Sequence, residues 1–422
     1  MMPPPDSIVE WLRLLETRHP VAIDLGLERI GEVWDRLGKP RPASRLITVA
    51  GTNGKGSTVA FAAALLGAAG YRVGTYTSPH LMRYNERIRI AGTELTDGRL
   101  LDAFRQVENA RGDIGLTYFE FGTLAAFLAL ADQGLDHAVL EVGLGGRLDA
   151  VNLLDADVSV ITPIGLDHQE YLGSDLESIG AEKAGIIRAG RPVVCGESDP
   201  PESVLRVAQR LRAPVHRLGR EFSITEVGTE LRWQGLQTEI RLPRPPLAGA
   251  HQVRNLATAM AAVAALESGV LTRGDALARA IAGIQIPGRL QRIREQPEVL
   301  VDVGHNPLAA EAVAATLESA GNGRTICVLG MLRDKDAAGV AAGLADRVEI
   351  WHCCSLGGER GRSGTDLAGE VAKVTGAGAV TAFDGVRHGL RSALDRAGAN
   401  DRILVFGSFT TAVEAMEFLE AG

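Results

Sequence analysis

Short apolar runs rich in β-branched residues alternate along this chain with longer amphipathic or alanine-rich segments. The short runs read as strands and the longer segments as helices, because a buried parallel strand is apolar on both faces and a surface helix repeats every 3.6 residues. Residues 7–17 and 27–38 predict two amphipathic helices, with the short loop Ile23-Asp24-Leu25-Gly26-Leu27 between them. A strand ending at Ala50 follows, then a glycine-rich turn, then an alanine-rich helix over 59–69 that stops at Gly70. Residues 72–77 predict a strand, 119–132 a buried helix, 137–142 a central strand and 157–162 another. Helices are expected at 175–188, 252–267 and 273–282, and a β-hairpin region over 214–242. Pro287-Gly288-Arg289 marks a break. After it come strands 299–303, 325–329, 347–352, 379–383 and 402–406, interleaved with helices 308–319, 337–345, 365–374, 385–396 and 409–420. The expected fold is α/β and doubly wound, with a phosphate-loop domain over 1–290 and a smaller, Rossmann-like domain over 291–422.

The stretch Leu46-Ile47-Thr48-Val49-Ala50-Gly51-Thr52-Asn53-Gly54-Lys55-Gly56-Ser57-Thr58 organises the rest. Glycines let backbone N–H groups turn inward, and a helix N-terminus adds partial positive charge, so strand, loop and helix together make an anion cradle. Lys55 is placed to reach phosphates and the Ser57 hydroxyl to ligate Mg²⁺. The spacing departs from the common phosphate loop: the first glycine stands too close to the lysine, and Gly56 separates Lys55 from Ser57. The bland alternative is an ordinary glycine-rich turn.

Composition narrows the class. The chain has 422 residues, 45% hydrophobic and 23% charged, which suits a soluble α/β protein with a large core, and its 50 glycines fit many tight turns. A net charge of −8 gives no support to nucleic-acid binding. No apolar run is long enough to span a membrane, and the Met1-Met2-Pro3-Pro4-Pro5-Asp6 start lacks the basic and apolar regions of a signal peptide. Cys195, Cys327, Cys353 and Cys354 show no metal spacing and suit reduced thiols in a cytoplasmic protein.

Further polar residues fall at strand ends, where open α/β sheets bind ligands. Ser78 stands in the loop Ser78-Pro79-His80-Leu81, Glu141 ends the strand at 137–142, and His168 lies in Gly165-Leu166-Asp167-His168. Glu141 suits a metal ligand or an ion-paired carboxylate; His168 suits a ligand less well, since Mg²⁺ prefers oxygen. Lys183 lies on an apolar helix face, either snorkelling or carrying a carbamate that supplies an anionic oxygen. Arg289 could reach a γ-phosphate or form an ion pair, Asp302 could accept from a ribose hydroxyl, and Asn306 caps the next helix. Asp334-Lys335-Asp336 reads equally as a plain charged loop or as part of a site.

Taken together these segments resemble the folate branch of the Mur ligase family. The resemblance is carried in order by Val49-Ala50-Gly51-Thr52-Asn53-Gly54-Lys55-Gly56-Ser57-Thr58, by Thr77-Ser78-Pro79-His80-Leu81 with Asn85-Glu86-Arg87-Ile88, and by Glu141-Val142-Gly143-Leu144-Gly145-Gly146-Arg147-Leu148-Asp149-Ala150. It continues through Glu182-Lys183-Ala184-Gly185-Ile186, Pro287-Gly288-Arg289, Asp302-Val303-Gly304-His305-Asn306-Pro307, Gly330-Met331-Leu332 and Asp334-Lys335-Asp336, and so covers nearly the whole chain. Leu116-Thr117-Tyr118-Phe119-Glu120-Phe121-Gly122-Thr123 and Asp24-Leu25-Gly26-Leu27 resemble the dihydropteroate-binding segments of the bifunctional bacterial members. Val151 and Val303 stand where many relatives have Thr and Ala, a change of modest size.

The resemblance implies the following roles. Gly54, Lys55, Gly56 and Ser57 would bind the ATP phosphates, with Asn255, Arg289 and Asp302 completing the nucleotide site. Ser78, Glu141 and His168 would hold Mg²⁺, with Lys183 as its carbamate. Asp24, Leu25, Gly26, Leu27, Thr117, Tyr118, Phe119, Glu120, Leu148, Asp149 and Ala150 would contact the pterin substrate. Lys55, Lys183 and His305 would take the catalytic parts, His305 by positioning the acyl phosphate or the amine. The implied reaction joins L-glutamate to dihydropteroate and to tetrahydrofolates through an acyl phosphate, in a monomer whose domains close over the site. The alternatives are a ligase that only extends folate tails, a ligase of a UDP-muramoyl substrate, and a nucleotide-hydrolysing switch. The first two are disfavoured by Thr117–Glu120, and the UDP-muramoyl reading also by the lack of a uridine-binding domain.

Overall fold

A computed structural model describes residues 5–317 and 323–420 except 20 and 22, so the last two positions of the expected helix 308–319, and Met1–Pro4 of the expected leaderless start, lie outside the described residues. The strands are β1 (Arg45–Ala50), β2 (Val73–Tyr76), β3 (Ile88–Ile90), β4 (Thr93–Glu94), β5 (His137–Glu141), β6 (Val158–Ile161), β7 (Val193–Cys195), β8 (Val215–Arg217), β9 (Phe222–Val227), β10 (Glu230–Gly235), β11 (Thr238–Pro243), β12 (Gln291–Glu295), β13 (Glu298–Val301), β14 (Thr325–Leu329), β15 (Ile350–Cys354), β16 (Val380–Phe383) and β17 (Arg402–Phe406). The chain divides into two compact units. One comprises the residues up to Ile164 with Ser174–Pro245 and Val253–Ile284; the other comprises Gly165–Gly173, Pro246–Gln252 and everything from Gln285.

The first unit is built on an eight-stranded sheet in the order β4-β3-β2-β5-β1-β6-β7-β8. Its pairs are parallel apart from the β2/β3 and β3/β4 pairs. All five residues of β5 and the last five of β1 are buried, as expected for central strands covered on both faces. The helix Tyr118–Ala131 is apolar on nearly every side, and eleven of its residues are buried. Phe121 on this helix meets Trp11 and Phe104, with ring centroids 5.7 and 5.5 Å away. A separate three-stranded antiparallel sheet, β11-β10-β9, is the expected hairpin region; it packs Trp233 so that its indole N–H donates to the Ala257 carbonyl at 3.1 Å.

The second unit holds a six-stranded sheet, β12-β13-β17-β14-β15-β16, parallel except for the β12/β13 pair. Leu329, Met331, Trp351, Leu404 and Phe406 sit in its core beside Cys327 and Cys353. All four cysteines are free and buried. Burial pushes the Cys353 thiol up to about 12, so it stays protonated.

The structure departs from the sequence pattern in specific places. The helix after the phosphate loop runs Lys55–Ala68, not from 59, because Gly54 adopts φ 86° and the chain turns directly into the helix behind it. The helix expected over 175–188 ends at Ala184, where Gly185 N–H bonds back to Glu182. The strand expected over 347–352 is β15, starting at Ile350, since Arg347 and Val348 still bond back to Leu344. The helix Asp97–Arg111 went unread although Leu100, Ala103, Phe104 and Val107 carry the i, i+3, i+4, i+7 spacing and are buried. The helix Glu202–Arg210 and strands β3, β4, β7 and β12 were also missed; strands this short carry little periodicity.

Truncating Phe121 removes one of three mutually packed rings, Trp11, Phe104 and Phe121. Phe121→Ala should cost about 3–5 kcal/mol in urea unfolding of the first unit, and a cost under ~1 kcal/mol would show that the ring group does not hold it.

Candidate active site

The site grows from the end of β1. Val49 is paired in register with Glu141, so the residue ending β5 lies directly beside the strand that enters the phosphate loop. Two of the loop's glycines have no room for a side chain. Gly51 has φ +148° and a Cβ there would run into Thr162; Gly54 has φ +86° and a Cβ would run into the Asn255 side chain. Only glycine combines that backbone with that proximity. Asn255, predicted to bind nucleotide, therefore rests against the loop from the buried face of helix Ala250–Leu266.

Two lysines converge on one carbonyl. Lys55 Nζ donates to the Gly51 and Thr52 carbonyls at 3.1 and 3.0 Å. Lys183 Nζ, on a side chain only 3% exposed, donates to the same Gly51 carbonyl at 2.9 Å. Ser57 follows in the first turn of the helix, and its buried hydroxyl has no hydrogen-bond partner, although a buried polar atom normally has one. The orphaned hydroxyl at a helix N-terminus is a hard oxygen donor that suits Mg²⁺ with a nucleotide phosphate, and the strand-end carboxylate of Glu141 is another. Ser78 joins it, since its N–H donates to Glu141 Oε2 at 3.1 Å.

Lys183 is held by close backbone packing. Gly146 lies so near the end of helix Leu176–Ala184 that a Cβ would stand 2.8 Å from the Glu182 carbonyl and 2.9 Å from that of Lys183. Arg147 N–H bonds the Glu182 carbonyl at 2.8 Å, and its guanidinium pairs with the Glu182 carboxylate at 2.7 Å. Asn152 Nδ2 closes the junction by donating to the Arg147 and Gly185 carbonyls. Asp149 shapes this turn from within. Its two oxygens accept the N–H groups of Leu144 and Val151 at 2.8 and 2.9 Å, and burial pushes its carboxyl up to about 6. Leu148 is half-buried and Ala150 buried.

The two segments expected to form the pterin site are tied together by a residue the sequence reading missed. Arg29 Nε lies 2.9 Å from Glu120 Oε1, and its Nη1 donates to Asp24 Oδ2 at 2.6 Å. Thr117 and Glu120 cap the helix start reciprocally, each side chain accepting the other's N–H. Phe119 lies against Gly143, where a Cβ would meet its ring, and stacks on Tyr76. Tyr118 turns instead toward Tyr84 and Arg87. Leu25, Gly26 and Leu27 stay half-buried, Leu27 as the residue before helix Glu28–Arg36.

The remaining predicted residues belong to the second unit. His168, with φ 51°, precedes a short helix, and its Nε2 lies 3.2 Å from Lys335 Nζ. Lys335, itself 7% exposed, pairs with Asp167 at 2.6 Å, and Asp167 also accepts from Asn306 and lies 3.6 Å from His305 Nε2. His305 Nδ1 lies 3.0 Å from the Val303 carbonyl. These neighbours hold the Asp167 carboxyl well below the usual range despite its burial. Lys335, from the charged loop, and Asp167 are thus neighbours of His168 and His305. Asp302 accepts the N–H groups of Leu290 and Gly304 at 2.8 and 2.7 Å, which fixes the turn bearing Arg289. The Arg289 guanidinium lies over the Phe409 ring at 5.7 Å. Among the described residues no cluster of three or more His, Cys, Asp or Glu side chains could hold a metal by itself.

Comparison with known proteins gives this arrangement its context. The profile of the Mur ligase middle domain matches residues 49–263, and that of the Mur ligase glutamate ligase domain matches 288–409. The chain belongs to the Mur ligase family. This Mur ligase is 44% identical over 415 residues to the dihydrofolate synthase/folylpolyglutamate synthase of Escherichia coli K12, covering 98% of this chain and 96% of that one. It is 38% identical to the protein of the same name from Haemophilus influenzae, with 98% of each chain covered. Among solved structures, E. coli FolC in complex with DHPP and ADP matches with a TM-score of 0.91 at 42% identity, covering 99% of this chain and 98% of that one. A bifunctional folylpolyglutamate synthase/dihydrofolate synthase with Mn, AMPPNP and L-glutamate bound matches with a TM-score of 0.90 at 42% identity, with 98% of each covered.

Two outcomes test this geometry. Gly54→Ala forces a strained φ against Asn255 and should weaken ADP binding by about tenfold or more in titration calorimetry, where an unchanged Kd would count against the cradle. Glu197, just past β7, accepts the Ile164 N–H at 3.2 Å, and burial pushes its carboxyl up to about 7. A raised carboxyl pKa favours the neutral form in the fold, so its contribution is full below about 4.5 and is lost as pH rises through about 7. Glu197→Gln should therefore raise the melting temperature at pH 8 relative to wild type but not at pH 4.5, and equal effects at both would contradict the burial argument.

Proposed function

We propose that this Mur ligase uses ATP to join L-glutamate to dihydropteroate, making dihydrofolate, and to tetrahydrofolates, extending their glutamate tails. One observation carries the reading: the chain matches bifunctional enzymes of that activity along nearly its full length, and its fold gathers Lys55, Lys183 and Glu141 around one phosphate loop.

A carboxylate is a poor electrophile, so the acceptor must first become an acyl phosphate. Gly54, Lys55, Gly56 and Ser57 bind the ATP phosphates, and Lys55 and Arg289 neutralise charge that spreads over the transferred group. Asn255 and Asp302 complete the nucleotide site. Ser78, Glu141 and His168 would hold Mg²⁺, which supplies further charge neutralisation when bound. Lys183, whose Nζ lies against the loop, would carry a carbamate and so supply an anionic oxygen donor for that ion. The pterin rests among Asp24–Leu27, Thr117–Glu120 and Leu148–Ala150, and His305 positions the incoming amine. The amine attacks the acyl carbon and phosphate leaves, so no covalent enzyme intermediate is needed. Residues 1–290 hold nucleotide and pterin, and 291–422 form the second domain of a cytoplasmic monomer.

Phosphate release by the purified protein with ATP, Mg²⁺ and L-glutamate should require an acceptor and should proceed with dihydropteroate and with tetrahydrofolate. Release with tetrahydrofolate alone would reduce the enzyme to tail extension; release with neither would overturn the reading. Lys183→Ala should abolish ligation, with partial rescue by short-chain carboxylic acids, and full activity in that variant would exclude the carbamate.

A further inference from the structure

Arg29 bridges two carboxylates that lie far apart in the chain. It is the second residue of helix Glu28–Arg36. A helix dipole opposes a cation in the first turn, so something else must favour Arg29 there. Its Nε lies 2.9 Å from Glu120 Oε1, 91 positions along the chain, and its Nη1 donates to Asp24 Oδ2 at 2.6 Å. Its Nη2 donates to the Asp24 main-chain carbonyl, so the loop is gripped by its backbone as well as by a side chain. Glu120 is 3% exposed, and among the described residues no other cation pairs with it.

A buried carboxylate is costly unless it is both paired and hydrogen-bonded. Arg29 supplies the charge, and the Thr117 N–H supplies a further bond at 2.8 Å. One carboxylate thus fixes the helix start at Thr117–Glu120 and, through Arg29, the loop Asp24–Leu27. The same helix also reaches the third acceptor segment. A Cβ at Gly31 would stand 3.7 Å from Leu153 Cδ1, in the turn Ala150–Leu153 that Asp149 caps. The links differ in depth. The Glu120 side chain is 4% exposed and that of Asp24 40%, so solvent weakens the outer one. Asp24–Leu27 belongs to no helix or strand, and its position depends on such links.

We propose that Arg29 is a positioning residue for the acceptor: it latches the loop Asp24–Leu27 onto the helix start Thr117–Glu120, and this latch sets the affinity for dihydropteroate. The proposal rests on the ligase reading above, which assigns both segments to that acceptor. The test follows phosphate release by the full-length enzyme against dihydropteroate concentration, at saturating ATP and L-glutamate, with ADP binding measured by calorimetry. Arg29→Gln alone would strand the buried Glu120 charge, so it is combined with Glu120→Gln, which keeps an acceptor for the Thr117 N–H. The double variant should raise KM about tenfold or more, the loss expected when charge-assisted hydrogen bonds go, while kcat and the ADP Kd each move by less than about threefold. Arg29→Lys keeps the charge without the fork and should fall between. Asp24→Asn opens only the outer link and leaves no charge buried, so it decides the matter even if the other variants fail to fold. Alone it should raise KM by about threefold or more, and in the double-variant background it should add nothing, because one latch cannot open twice. An unchanged KM in the double variant or in Asp24→Asn would overturn the proposal. So would an ADP Kd that rises as much as KM, or Asp24→Asn losses that multiply with the others, the mark of a direct substrate contact. Wild type that releases no phosphate with dihydropteroate would overturn the bifunctional reading, and this inference with it.

Discussion

The Gly51 carbonyl is the point on which the first unit's site depends. It accepts from the buried Nζ of Lys183 and from the Nζ of Lys55 at once, at 2.9 and 3.1 Å. Two lysine side chains reach one carbonyl where the absence of loop side chains lets the backbone lie close to its neighbours. Gly51 and Gly54 have positive φ and press on Thr162 and Asn255. The register of β1 against β5 then sets Glu141 beside the loop without any further adjustment. Strand pairing, which is a matter of backbone hydrogen bonds and apolar burial, thus positions the charged chemistry.

The same economy of space governs the approach of Lys183. Its helix is met end-on by a turn in which Gly146 and Gly185 face backbone across the junction, while Arg147, Asn152 and Asp149 hold the turn's shape. A lysine on an apolar helix face ordinarily reaches toward water. Here Lys183 is buried and its Nζ donates to the loop carbonyl instead.

Much of this was legible in the sequence. The β-branched runs, their glycine punctuation and the alternation beyond Pro287-Gly288-Arg289 foretold an α/β chain with two doubly wound sheets, because burial on both faces leaves an unmistakable apolar run. The phosphate loop was legible because strand, glycines, lysine and helix lie in one stretch. The Arg29–Glu120 and Lys335–Asp167 pairs were not, since the partners lie far apart along the chain; Lys335 meets Asp167 across 168 positions. The helix Asp97–Arg111 is a different case, for its buried stripe of Leu100, Ala103, Phe104 and Val107 is present in the sequence.

The least legible property is what a carboxylate at a strand end does. Asp149 and Asp302 occupy positions that pattern alone marks as chemical, yet both use their oxygens on backbone N–H groups of neighbouring turns. A carboxylate has about four lone-pair sites, so such a role leaves capacity for a ligand without requiring one. Arg87 presents the converse. It is a buried cation against the Tyr84 and Tyr118 rings, and Glu86 beside it in the chain is turned to the N–H groups of Leu81, Met82 and Arg83. Pattern counts charges along the chain, whereas function follows from which charges the fold leaves uncompensated.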